Sequence, residues 1–262
     1  MDTQQLLDSL PIPIVFLLIT AILLAVFEVG YRVGRWWQER TPDEKEGPTS
    51  MLVGSLLALL AFLLAVTMGM AADRFDTRRG LVLDEANAIG TTDLRAGYLP
   101  PPYSADTREL LREYVPLRIN VDNRAELAAN FARSEVIHGE LWAMAEELAR
   151  ADPSSDLLSL YIESLNEMID LHATRATAIV YARVPETVLI LLIIGAALTL
   201  GMVGYNAGLT RRRSLLGATV LVVVLAAVLT LVVDLDRPRQ GFLQVSQQPL
   251  IDLQAQIGAP TP

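Results

Sequence analysis

Four long apolar segments constrain the fold of this chain more than any other feature of its sequence. They cover residues 12–30, 51–72, 188–203 and 215–233, and the second of them contains no charged residue. A helix needs about 20 apolar residues to cross the hydrocarbon core of a bilayer, which is about 30 Å thick. The pattern therefore predicts an integral membrane protein with four transmembrane helices, rather than four buried helices of a soluble domain.

The four segments divide the chain into parts with different expected environments. Residues 1–72 hold the first two predicted spans and a short loop, and residues 73–184 form an extramembrane region. Residues 185–233 hold the third and fourth spans, and residues 234–262 form a polar C-terminal tail. Apolar residues recur at helical spacing through 73–184, and no segment alternates as a strand would. The expected fold class is all-α.

Composition excludes several classes of protein. Hydrophobic residues make up 52% of the chain, which is too many for an intrinsically disordered protein. The sequence has no cysteine, so it forms no disulfide scaffold and no cysteine-ligated zinc site. Its net charge of −9 gives no electrostatic reason to expect a nucleic-acid partner.

Residues typical of enzyme active sites are scarce. The chain has two histidines, His138 and His172, which are far apart in sequence, so a histidine-rich metal site is not expected. His172 falls on a predicted surface helix and is interpreted as a solvated or interface residue. The adjacent acids Asp84 and Glu85 are expected to form salt bridges or part of a solvated face. No phosphate-binding loop, nucleophile elbow or zinc-protease motif occurs. We predict no catalytic residue, cofactor or metal, and no enzymatic activity.

The second predicted span carries a narrow stripe of small residues. Its members are Gly54, Ala58, Ala61, Ala65 and Gly69. Small residues let membrane helices approach closely, which supports oligomer formation. We expect Gly54, Ala61, Ala65 and Gly69 to serve in helix packing.

Larger and charged residues lie beside this stripe. Phe62, Val66 and Asp73 fall within about 40° of one another around the helix. Two interpretations are open: this face packs against another helix, or it lines a pore. In a pore, Phe62 and Val66 would form apolar rings that gate by dewetting. Asp73 would stand at the pore mouth, where carboxylates favour cations, or would pair with a neighbouring arginine.

Two acidic residues mark the exit of the fourth span. Asp234 and Asp236 are costly at a membrane boundary unless they are hydrated or paired. They are expected either to line an aqueous vestibule or to pair with Arg237 and Arg239.

Positive charges predict which side each loop occupies. Cytoplasmic loops of membrane proteins carry an excess of lysine and arginine, counted mainly over short loops. The two short loops contain Arg32, Arg35, Arg40, Lys45 and Arg211–Arg213. This distribution favours short loops in the cytoplasm and an extramembrane region 73–184 outside.

Several segments resemble one known family of membrane proteins. The run MAADRFDTRR at residues 70–79 resembles the exit of the second membrane helix in bestrophins. The segments DEANAIG at 84–90, SLNEMID at 164–170 and VSQQPL at 245–250 are similar to the bacterial bestrophin-like membrane proteins. The acidic calcium clasp of animal bestrophins is not reproduced.

The resemblance implies an oligomeric ion channel in a bacterial plasma membrane. Bestrophins are pentamers, mostly anion-selective, although some bacterial members pass cations, and their second helices line an apolar neck. The match places that neck at Phe62 and Val66, with Ala58 one turn above. The expected partners are inorganic ions, the lipid bilayer and further copies of the chain in a homopentamer. Bestrophins hold their helical region in the cytoplasm, which is opposite to the expectation from the charges. A monovalent cation channel and a non-conducting membrane scaffold or sensor remain alternatives.

Overall fold

The computed structural model describes residues 10–41, 46–119, 124–210, 214–238 and 241–258. Within these ranges the chain forms eight helices and no strand. The helices are α1 (Ile12–Arg40), α2 (Glu46–Ala96), α3 (Tyr103–Arg118), α4 (Arg124–Ala151), α5 (Asp156–Tyr181), α6 (Glu186–Leu209), α7 (Leu215–Asp236) and α8 (Gln248–Ile257).

Four of these helices are long and apolar enough to cross a membrane: α1, α2, α6 and α7. They contain the four predicted spans, so the all-α membrane fold class is confirmed. Helix α1 continues past the predicted end of the first span at Gly30, as far as Arg40. Helix α2 has 51 residues and at 1.5 Å per residue is about 76 Å long. Only its apolar part, residues 51–72, matches the thickness of a bilayer.

The chain folds into two compact units. The membrane unit combines Met1–Phe75 with Arg183–Gln244, and the helical unit combines Asp76–Ala182 with Val245–Pro262. Helix α2 contributes residues to both. The predicted C-terminal tail is divided between the two units at residue 245.

In the membrane unit, α1 and α6 touch through glycines. Gly30 and Gly34 on α1, and Gly204 and Gly208 on α6, are each four residues apart. A Cβ atom on any of the four would lie within 2.3 Å of a backbone oxygen of the other helix. Only glycine permits this approach, in which the two backbones are in contact, and small residues at this spacing are typical of tightly packed membrane helices.

The helical unit has its own hydrophobic core. Helices α2 to α5 each supply residues at helical spacing, and α8 closes one side. The fully buried members include Ile89, Leu111, Tyr114, Ile137, Leu141, Tyr161, Leu165, Met168 and Leu250. The side chain of Ser155 accepts a hydrogen bond from Leu158 N at 3.2 Å and caps the start of α5.

The predicted polar tail ends in a docked helix. Leu250 and Leu253 on α8 are buried in the core of the helical unit. Arg112 Nε donates to the carbonyl oxygen of Ile257 at 2.9 Å, and Arg175 Nη2 donates to Gln247 Oε1 at 2.8 Å. The segment from 245 onward therefore belongs to the helical unit, which its polar composition did not indicate.

Candidate functional site

Within the membrane unit, α2 buries one face and exposes the opposite one. Leu60, Thr67 and Ala71 are buried, and at about 100° per residue they lie within about 40° of one another. Phe62 and Asp73 fall about 120–180° from these three positions around the helix. The predicted pore residues therefore stand on the side of α2 opposite the face that is buried within the described part of the membrane unit.

The predicted neck residues share this outward face. Phe62 is 64% exposed and Val66 is 46% exposed, and Ala58 and Asp73 are exposed as well. They follow one another along a single helix, with Asp73 about three turns after Phe62. A single chain places them in a row, and a ring would need further copies around an axis.

The predicted packing residues lie on the flank of the same face. Gly54, Ala61, Ala65 and Gly69 are all exposed. Among the described residues, none outside the helix lies within 4 Å of where a Cβ atom at Gly54 or Gly69 would stand. This flank is thus shaped for the close approach of another helix.

At the exit of α7, both predicted acids are buried and hydrogen-bonded. Asp236 Oδ1 accepts from Val184 N at 2.6 Å, and Asp236 Oδ2 accepts from Arg183 Nε at 3.3 Å. This contact ties the end of α7 to the residues that precede α6. The burial of Asp236 is unlike that of an acid lining an aqueous vestibule.

Asp234 organises the turn that follows α7. Its two carboxylate oxygens accept from Phe242 N at 3.0 Å and from Leu243 N at 3.1 Å. Gly241 has a positive φ of 154°, and a Cβ there would lie 2.1 Å from Asp234 Oδ1. Asp234 therefore binds backbone amides of this turn, which the sequence did not suggest. Arg239, one of the arginines predicted to pair with the two acids, lies outside the described residues.

A buried ion-pair cluster lies in the helical unit. The Glu85 carboxylate on α2 accepts from Arg118 Nε at 2.6 Å and also from Arg175 Nη1, and all three side chains are buried. Burial alone would raise the pKa of Glu85, but the two guanidinium groups outweigh it and hold that pKa below its usual value. The salt-bridge interpretation holds for Glu85, whereas Asp84 is exposed.

The two histidines meet in the helical unit. Their ring centroids are 4.8 Å apart, edge to face, and His138 and His172 are 8% and 7% exposed. Of the two interpretations of His172, solvated or interface, the solvated one is therefore wrong, because the inner face of α5 packs against α3 and α4. The Tyr114 hydroxyl lies 3.3 Å from His172 Nδ1. No group of three metal-ligating side chains occurs among the described residues.

These features define an all-helical membrane protein with four spans and a separate helical unit. The model of the Bestrophin-like domain matches residues 20–250. The chain belongs to the bestrophin-like family. No curated protein sequence matches it significantly.

Solved structures share the fold over nearly the whole chain. A variant of a bacterial bestrophin homolog from Klebsiella pneumoniae superimposes with a TM-score of 0.65 at 16% identity, covering 94% of this chain and 97% of that one. A second crystal structure of that homolog gives a TM-score of 0.60 at 15% identity, covering 93% and 98%. At this identity the likeness is one of fold.

Proposed function

We propose that the protein is an oligomeric channel for passive ion conduction, with a central pore lined by α2. Following the family resemblance, the oligomer is a homopentamer. The observation that carries the proposal is the outward face of α2, which bears Phe62, Val66 and Asp73 in one row and which the described residues leave exposed.

The residues flanking this face support an oligomer. Gly54, Ala61, Ala65 and Gly69 would allow neighbouring α2 helices to approach closely around an axis. Phe62 and Val66 would then form two apolar rings, and such a constriction controls conduction through dewetting. Ala58, one turn away, is too small to narrow the pore further.

Two opposing features bear on ion selectivity. The resemblance to bestrophins favours anions, whereas a ring of Asp73 carboxylates would concentrate cations. A monovalent cation channel is thus the alternative within the same architecture. The reversal potential in a salt gradient across a bilayer distinguishes them, because its sign gives the charge of the permeant ion.

Replacing Phe62 by alanine is expected to raise ion conduction several-fold, because it removes the larger apolar ring and makes the neck easier to hydrate. Ion flux into liposomes reconstituted with equal amounts of protein measures the effect.

Leu17→Ala provides the matched control. Leu17 lies on α1, outside the proposed lining, and its 63% exposure is nearly that of Phe62. Truncation of the Leu17 side chain should leave the ion flux unchanged. Equal fluxes from the two variants would contradict the neck, and the absence of flux from the unmodified protein would contradict conduction.

The chain itself offers a test of its orientation. It contains no cysteine, so Ser154→Cys in the exposed turn before α5 introduces a single reactive group. The arginines of the short loops predict an outside location, in which a membrane-impermeant maleimide labels the cysteine in intact bacterial cells. Labelling only after lysis would place the helical unit in the cytoplasm, as in bestrophins.

A further inference from the structure

The helical unit gathers every histidine of the chain at one buried place. The sequence has two histidines, and they contact each other although 34 positions separate them. His138 is on α4 and His172 on α5, and both pack against Tyr114 on α3. The histidine pair thus lies where these three helices meet.

The surroundings of this pair are already positively charged. Arg118 on α3 and Arg175 on α5 share one carboxylate, Glu85 on α2. The three buried ionic groups therefore carry one net positive charge beside the imidazoles. A proton on either ring would add a second, in a site with little water to screen it.

The hydrogen bonds of the pair also suit the neutral state. Among the described residues, His138 Nε2 has no hydrogen-bond partner, although that atom is buried. A charged imidazole needs an acceptor for each of its two N–H groups. His138 would therefore bury an unsatisfied charged donor if it were protonated in this position.

We propose that His138 and His172 form an acid sensor of the helical unit, in which neutral rings hold α4 against α3 and α5 and protonation releases it. The sensor goes beyond the proposed ion conduction and does not depend on it. Histidine is the side chain that ordinarily changes its charge between pH 5 and 8, and the only two in this chain lie at one helix junction.

The direction and size of the response follow from the pKa values. Burial, with Arg118 as the next cause, lowers the pKa of His138 from 6.5 to about 4 and that of His172 to about 3. A lowered histidine pKa adds stability above pH 6.5, and that stability is lost as the pH falls below it. The equilibrium constant of an opening that exposes both rings is therefore larger at pH 5 than at pH 7, by up to about 20-fold per histidine.

Hydrogen exchange of the full chain in lipid nanodiscs tests the sensor in two ways. Exchange of the imidazole C2 hydrogens reports the pKa of each histidine, and we expect both values to lie below 5. Backbone amide exchange over residues 134–148, corrected for intrinsic rates, should show protection falling at least tenfold between pH 7 and pH 5. A pKa near 6.5 for both histidines, or unchanged protection, would overturn the proposal.

Two variants separate the histidines from other titrating groups. The double substitution His138→Phe and His172→Phe keeps two buried rings and should abolish the difference in protection between pH 7 and pH 5. Glu140→Gln removes an exposed carboxylate of α4 that pairs with Arg133, and should leave that difference intact. A pH response that persists in the double variant would refute the sensor. If the double variant does not fold, the C2 measurement on the unmodified chain decides.

Discussion

Glu85→Gln is expected to destabilise the helical unit by about 3–5 kcal/mol, which is the usual cost of removing one partner of a buried ion pair. Glutamine keeps the shape of the side chain but leaves Arg118 and Arg175 buried without their shared counter-charge. Backbone hydrogen exchange over residues 82–92 measures the loss, because this part of α2 lies in the core.

The neighbouring residue supplies the control. Asp84 is exposed, so Asp84→Asn removes the same charge from the adjacent position and should change stability by less than about 0.5 kcal/mol. Equal effects of the two variants would show that the buried cluster contributes nothing specific. The pKa of Glu85 is lowered, so its contribution is present above about pH 4.5 and is lost only at lower pH. The pH range in which Glu85 loses its contribution thus lies below the range of pH 5 to 7 in which the histidine response is measured.

Gly204→Ala is the second substitution with a large expected effect. A Cβ at this position would lie 2.1 Å from the carbonyl oxygen of Phe27, so α1 and α6 would have to move apart. Backbone atoms cannot rotate away as side chains do. We expect a loss of about 3 kcal/mol or more, at the upper end of the costs of overpacking. Thermal unfolding in detergent, followed by helical circular dichroism, measures it.

Gly195→Ala on the same helix is the matched control. The nearest atom to a Cβ there is Leu63 Cδ1 at 3.9 Å, an ordinary van der Waals contact. Both variants replace a glycine of the same helix by alanine, so both gain the same helix propensity, which is about 1 kcal/mol in favour of alanine. Gly195→Ala should therefore be neutral or stabilising. If both variants behave alike, the close contact between α1 and α6 does not exist in solution.

The candidate pore face is largely readable from the sequence. Helical periodicity places Phe62, Val66 and Asp73 on one side of α2 without any knowledge of the neighbouring helices. The structure adds that Leu60 and Ala71, on the other side, are the buried residues. The position of this face at a symmetry axis depends on other copies of the chain, so the proposed neck is tested by the flux experiment.

The glycine contact between α1 and α6 corresponds to a feature of the sequence, the spacing of the glycines, which the amino-acid composition does not show. Gly30 with Gly34 and Gly204 with Gly208 both have the spacing typical of close membrane-helix pairs. That spacing identifies candidate faces, but it cannot say that these two faces meet each other.

The membrane class, the four spans and the helical character of 73–184 follow from the sequence alone. These are local properties, because an apolar run or a helical period is formed by residues that are close to one another in the sequence. Three contacts became known only from the folded chain: Glu85 pairs with two arginines, His138 contacts His172, and α8 packs on the rest of the helical unit. Such contacts depend on the path of the whole chain. The type of a charged or aromatic residue does not identify which residue, far away in the sequence, it will contact.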